Sequence, residues 1–171
     1  SEQAPFPPGS DWQVERDPMS SGSATEVTTS TTASGGQLQF RLADGGDPSR
    51  FAAMVTSHVT PLRDADGLDF RIRASRPMRV SVQIRLSGRV VDRRWVRSVY
   101  AEPEARNVSL AIADLRVAGT GERTPIDRAQ IDALMFVIDT VNSRPGDRGT
   151  VWIEDLAVVR RATQVRTVSS R

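Results

Sequence analysis

Val80-Ser81-Val82-Gln83-Ile84-Arg85-Leu86 alternates apolar and polar side chains without a break. A period of two places one set on each face of an extended strand, so this stretch predicts a strand with one face on a core. The same rhythm spreads outward. Upstream, Leu68, Phe70 and Ile72 alternate with Asp69, Arg71 and Arg73, and Leu38, Phe40 and Leu42 alternate with Gln37, Gln39 and Arg41. Downstream, Val108, Leu110 and Ile112 alternate with Asn107, Ser109 and Ala111, and Leu134, Phe136 and Ile138 alternate with Met135, Val137 and Asp139. Val151 and Ile153, then Leu156 and Val158, mark a last strand whose change of phase near Asp155 signals a bulge. Residues 12–14, 51–55 and 95–100 are predicted as further strands, with Phe40, Phe70 and Phe136 on core-facing phases.

Turn signals separate these runs: Asp44-Gly45-Gly46, Asp66-Gly67, Arg76-Pro77, Ser87-Gly88, Gly119-Thr120-Gly121 and Arg144-Pro145-Gly146. One helical turn is expected at 124–131, with Thr124 as its cap, Pro125 at the first position and Asp127 at the positive end. Many short strands with regular turns, and no βαβ rhythm, long helix or repeat, predict an all-β antiparallel sandwich or barrel.

The 171 residues suffice for one domain with a real core, and 38% hydrophobic against 26% charged residues is a globular balance. No apolar run approaches the length of a membrane span. Lack of cysteine excludes disulfides, thiolate zinc sites and a cysteine nucleophile. All 23 basic residues are arginine, which lifts the pI to about 10.2 at a net charge of only +2. The high pI therefore does not by itself indicate nucleic acid. Residues 1–10 are expected to be an extended N-terminal tail, 11–161 the β-sandwich, 19–36 a Ser/Thr-rich mobile loop within it, and 162–171 a basic C-terminal tail. An exported setting is favoured, although no signal peptide is visible.

Several segments carry a family resemblance. They are Asp66–Ala74, Val80–Leu86, Trp95–Tyr100, Val108–Leu115 and, most clearly, Ile131–Gly146 running on to Gly149–Leu156. Over residues 37–160 the sequence resembles the galactose-binding-like jelly rolls, which include bacterial carbohydrate-binding modules and the complex I intermediate-associated assembly factor family. The resemblance implies two packed antiparallel sheets and a non-catalytic binding role, and it leaves the ligand open. It also implies a structural calcium, with Asp155 and a backbone carbonyl near Asp17 as candidate ligands. No other cofactor is expected.

Catalytic candidates are few. His58 is the single histidine, and no Gly-x-Ser-x-Gly elbow exists, so His58 reads as an ordinary strand residue. Asp139, Glu154 and Asp155 end strands and read as turn and bulge residues rather than paired glycosidase carboxylates. Asp64, Asp66 and Asp69 fail the EF-hand spacing and read as a turn into a strand.

Partner-binding candidates cluster on one segment. From residue 71 to 97 nine arginines face one acid, Asp92. Arg71, Arg73, Arg79 and Arg85 are expected to share the outward phase of two neighbouring strands, followed by Arg76, Arg89, Arg93, Arg94 and Arg97. Trp95 stands among arginines and reads either as a sugar platform or as a residue closing one end of the sandwich, with Trp12, Tyr100 and Trp152 as the other aromatics free of the core phases. Such a field favours an anionic partner: acidic protein, lipid headgroup, acidic polysaccharide or, third in order, nucleic acid, for which recognised motifs are missing. Two functions follow. The favoured one is an accessory or assembly subunit of a larger, membrane-associated complex, docked through tails and arginine face. The alternative is a carbohydrate-binding module for a polysaccharide. Neither is an enzyme.

Overall fold

A computed structural model describes residues 2–45, 50–87 and 93–161. Twelve strands lie among the described residues: β1 (Glu2–Pro5), β2 (Gln13–Arg16), β3 (Ser21–Thr28), β4 (Ser34–Arg41), β5 (Phe51–Thr56), β6 (Gly67–Ala74), β7 (Met78–Leu86), β8 (Arg93–Ala101), β9 (Arg106–Ala111), β10 (Arg116–Val117), β11 (Ile131–Asp139) and β12 (Arg148–Arg160). They form two six-stranded antiparallel sheets. The first runs β3-β4-β12-β6-β9, with β1 added beside β12, and the second runs β10-β8-β7-β11-β5-β2.

The inward phases predicted from the sequence meet between the sheets. Leu38, Phe40, Leu68, Phe70, Ile72, Val151 and Ile153 of the first sheet pack in one core with Val80, Val82, Ile84, Leu134, Phe136 and Ile138 of the second. Phe136 is the hinge of its aromatic centre, with Phe70 edge-on at 5.5 Å and Trp12 tilted at 5.9 Å. The alternation predicted an all-β antiparallel sandwich or barrel and the resemblance a jelly-roll sandwich; an all-β sandwich of two antiparallel sheets is the fold observed.

The bulge stands where the phase change placed it. The register of β12 against β6 shifts between Glu154 and Ala157, and Asp155 adopts a left-handed φ of 52°. Before the bulge β12 pairs with β4, and after it with β1. One long strand is thus flanked by two successive partners on the same side.

Three expectations are corrected. Residues 19–36 are not a loop: β3 and the start of β4 form a hairpin there, with Ser21 opposite Arg41 and Thr28 opposite Ser34. Polar, β-branched side chains suffice because β3 is an edge strand that needs no apolar pair of faces. Residues 1–10 are not a free arm: β1 joins the first sheet, Phe6 is fully buried, and its N–H donates to the Leu156 carbonyl at 2.8 Å. The helical turn shrinks to a 3-10 turn at Arg128–Gln130, capped by the Asp127 carboxylate rather than by Thr124. The expected tail 162–171 lies outside the described residues.

Candidate functional site

The outer face of the second sheet is where the strand register assembles a surface of mixed chemistry. β11 is buried on both of its faces. Leu134, Phe136 and Ile138 point into the core, so Ala133, Met135 and Val137 point outward, where Ala53 and Val55 of β5 join them in a separate apolar cluster edged by Phe51. Cross-strand pairing sets the rows. Gln83, Met135 and Val55 follow one another across β7, β11 and β5, and Val96 of β8 and Gln13 of β2 extend the row at either end. The next row reads Ser98, Ser81, Val137, Ala53 and Glu15. Met135 and Val137 stand at the centre of these rows as a floor, and Ala53, Val55, Ser81 and Gln83 beside them are buried as well.

Arg85 crosses this floor. It rises from β7, and its Nη1 donates to both carboxylate oxygens of Glu15 at 2.9 Å, while its Nε donates to Asp132 at 3.2 Å. Glu15 sits on β2, three strand spacings or about 14 Å away, so the pair forms a strap over β11 and β5. Burial would lower the guanidinium pKa, but Glu15 and Asp132 outweigh it and raise it. The strap helps to explain why Met135 and Ala53 are buried on an outer face.

Beyond the strap the polar groups are held but not saturated. Gln83 donates from Nε2 to Ser81 Oγ at 3.1 Å, and its Oε1 lies 3.4 Å from an Arg94 nitrogen. Arg79 donates to the Ser98 hydroxyl at 2.7 Å and to its carbonyl at 3.2 Å. Tyr100, opposite Arg79, is 36% exposed, with the Arg106 guanidinium 5.3 Å from its ring centre. Burial raises the pKa of Asp139, against the Val141 and Asn142 N–H groups and the Arg94 charge. The accessible groups of the face are therefore guanidinium forks, the half-buried Ser98 hydroxyl and the exposed Tyr100 ring, while Ser81 and Gln83 are buried beneath them. Among its described residues no nucleophile is hydrogen-bonded to a base.

The predicted arginine face does not exist as one surface. β6 and β7 follow each other in sequence but lie in opposite sheets, so Arg71 and Arg73 point away from the outer face that carries Arg79 and Arg85. Phase alone gives the side of a strand, not the sheet it joins. Arg73 pairs with Glu154 at 3.0 Å and stacks 3.9 Å over the Trp152 ring, whose Nε1 donates to Gln37 at 3.0 Å. Arg71 stands opposite Asn107. Arg93 is exposed at the start of β8 and Arg94 lies on the outer face, but Arg97 is on the inward phase, at the sandwich rim, paired with Asp114 at 3.5 Å. Arg89 and Asp92 lie outside the described residues.

Trp95 is a core residue rather than a platform. It is 2% exposed, stands opposite the inward Ile84, and donates from Nε1 to the Thr124 carbonyl at 2.7 Å. His58 is not in a strand: it is exposed just past β5, and its ring takes no part in the hydrogen bonds of the described residues. Asp139 lies in the second sheet, and in the first Glu154 pairs with Arg73 while Asp155 accepts the Thr29 hydroxyl.

The calcium ligands implied by the resemblance are not brought together. The Asp155 carboxylate accepts the Thr29 hydroxyl, beyond the far end of β3 from Asp17. Eight residues of strand, about 26 Å, separate those ends. The Asp17 carbonyl already accepts Ser20 N–H and an Arg16 nitrogen, each at 3.2 Å. Its carboxylate is pinned by Ser20, Met19, Phe51 and Arg50. Burial would raise its pKa, but the hydrogen bonds from Ser20, Phe51, Met19 and Arg50 together hold it far below the ordinary carboxylate range. Among the described residues no group of three or more His, Cys, Asp or Glu side chains is placed to hold a metal ion.

Sequence reasoning missed Glu15, Ser81, Gln83, Ser98 and Asp132 as site residues. The available signal was in β11, where Met135 and Val137 make both phases apolar, a pattern that asks for something to cover each face.

Solved structures supply the comparison. No family model and no curated protein matches the sequence. The chain is similar to the family 11 carbohydrate-binding module of a cellulosomal cellulase of Clostridium thermocellum, with a TM-score of 0.63 at 14% identity, covering 88% of each chain. A family 30 carbohydrate-binding module matches with a TM-score of 0.55 at 13% identity, over 88% of this chain and 79% of the other. An exo-β-agarase structure matches with a TM-score of 0.52 at 10% identity, over 90% of this chain and 24% of the other. The fold is therefore the jelly-roll sandwich found in carbohydrate-binding modules.

Proposed function

We propose that this chain is a non-catalytic polysaccharide-binding module, with the ligand lying on the outer face of the second sheet. The observation that carries the reading is the outer-face set of Arg79, Ser98 and Tyr100, with Arg94 further along, standing beside a floor of Ser81, Val137 and Ala53 that is itself buried. The accessible groups beside that floor, the Tyr100 ring and the two guanidinium forks, are of the kind that meet a sugar ring and its substituents. The similarity in fold to carbohydrate-binding modules, at nearly full length for family 11, supports it. An exported setting accompanies this reading.

The accessory-subunit reading favoured from the sequence has lost two of its supports. Residues 2–6 belong to the sandwich, and the arginines divide between two surfaces.

The test is affinity electrophoresis against a panel of soluble polysaccharides, neutral and acidic. Retarded migration with at least one of them is expected, and Tyr100→Ala, which removes the exposed ring of this face, should weaken it about tenfold. Unretarded migration across the whole panel would overturn the proposal.

A further inference from the structure

We infer that the polysaccharide is an anionic one, bearing carboxylates or sulfates that pair with Arg79 and Arg94. This rests on the binding reading above and adds the chemical class of the ligand.

The inference comes from how charge is spent on the outer face. Its acids are engaged, and Glu102 at its edge lies 3.5 Å from the Tyr100 hydroxyl. Both Glu15 oxygens and one Asp132 oxygen are taken by Arg85. Asp139 turns its Oδ1 back to the Val141 N–H at 3.1 Å, closing the turn after β11, and Arg94 is the charge that bears on it. The cations are less engaged. Among the described residues Arg79 is exposed and hydrogen-bonded to the neutral oxygens of Ser98. Among the same residues Arg94 makes one long hydrogen bond of 3.4 Å, to a neutral amide oxygen. A guanidinium has five donors in a planar fork that matches a carboxylate or sulfate, so each retains donors for a ligand.

Two further features fit a polyanion better than a neutral glycan or a small anion. Aromatic stacking is scarce: Tyr100 is the exposed ring on this face, and Trp95 and Trp12 are in the core. Affinity must then come from something other than rings. Arg79 and Arg94 also lie apart, because Arg94 is opposite Arg85, six residues along β7 from Arg79. That is about 20 Å between backbones, a span along which the two side chains can meet successive charges of an extended chain.

Titration calorimetry with a polyuronate, a neutral β-glucan of similar length and duplex DNA tests this on the full chain. The polyuronate should bind and the neutral glucan should bind at least about tenfold more weakly. Raising salt from about 0.05 to about 0.5 M should cut polyuronate affinity about tenfold or more, since the pairs are solvent-exposed. Arg79→Gln and Arg94→Gln should each weaken it about tenfold, whereas Arg71→Gln, on the opposite surface, should leave it unchanged. All three are exposed or half-buried polar positions, and circular dichroism verifies that each variant folds. Equal, salt-insensitive binding of the neutral glucan would overturn the anionic assignment and leave the binding-module reading standing. Binding to neither polysaccharide would overturn both. Preference for DNA would overturn the choice of polysaccharide.

Discussion

Gly35 shows how one residue fixes the architecture. A Cβ built there would lie 1.8 Å from the Ile153 carbonyl oxygen, where β4 passes the strand that is about to bulge. No side chain fits against that backbone, and the neighbour is not a flexible tip that could swing away. Gly35→Ala should cost at least about 3 kcal/mol, the upper end of ordinary overpacking, read as a lowered urea midpoint. Asp17 is a second such residue. It ties β2, β3 and β5 together, with its carboxylate bonded to Ser20, Met19, Phe51 and Arg50. Its folded-state pKa is depressed below the unfolded value of about 3.8. Its contribution is therefore complete above that pH and is lost as pH falls toward the folded value. Asp17→Asn should cost about 3 kcal/mol at neutral pH, with the gap from the parent narrowing only below about pH 4, as followed by thermal melts across pH. Neither role is visible in composition or spacing. Both depend on which strands meet: in the sequence Gly35 falls in the stretch expected to be a loop, and Asp17 enters only as the place of a candidate calcium-binding carbonyl.

Elements differ in how plainly the sequence announces them. β4, β6, β7, β9, β11 and β12 were legible because each buries one side-chain phase in a shared core. β3 was not, since an edge strand of Ser, Thr and Gly has no apolar phase to show, and β1 was not, since its register comes from β12 after the Asp155 bulge. The sheet to which each strand belongs was also hidden. Alternation gives the same pattern whichever sheet a strand joins, so Arg71 and Arg79 looked like neighbours and are not. These elements make opposite forecasts for the N-terminal segment. As a docking arm it could be removed freely. As β1 followed by the buried Phe6, it cannot: Phe6→Ala should destabilise the domain by about 4 kcal/mol, measured by chemical denaturation. Stability unchanged by that substitution would return the segment to the status of an arm.

At the scale of the whole molecule, one sheet face carries the proposed function and the other does not. The first sheet presents Trp152 already covered by Arg73 and bonded to Gln37. The second presents a buried apolar floor beneath the Arg85 strap, with Arg79, Arg94 and Tyr100 accessible beside it. The strap itself is partly solvent-exposed, so it adds only about 1 kcal/mol of stability. Arg85→Ala should accordingly melt close to the parent while opening the apolar floor, which increased binding of a hydrophobic dye would register. The face was only half legible from sequence. Arg79, Arg85 and Arg94 were identified, but the floor that makes them a site required the pairing of β11 with β5 and β7.

The most direct measurement is a backbone amide NMR titration with a soluble polysaccharide that retards the protein. Shifts concentrated at Ser81, Gln83, Ser98, Tyr100 and Met135 are expected. Shifts centred instead on Gln37, Arg73 and Trp152 of the opposite sheet would place the ligand elsewhere and contradict the assignment of the binding face.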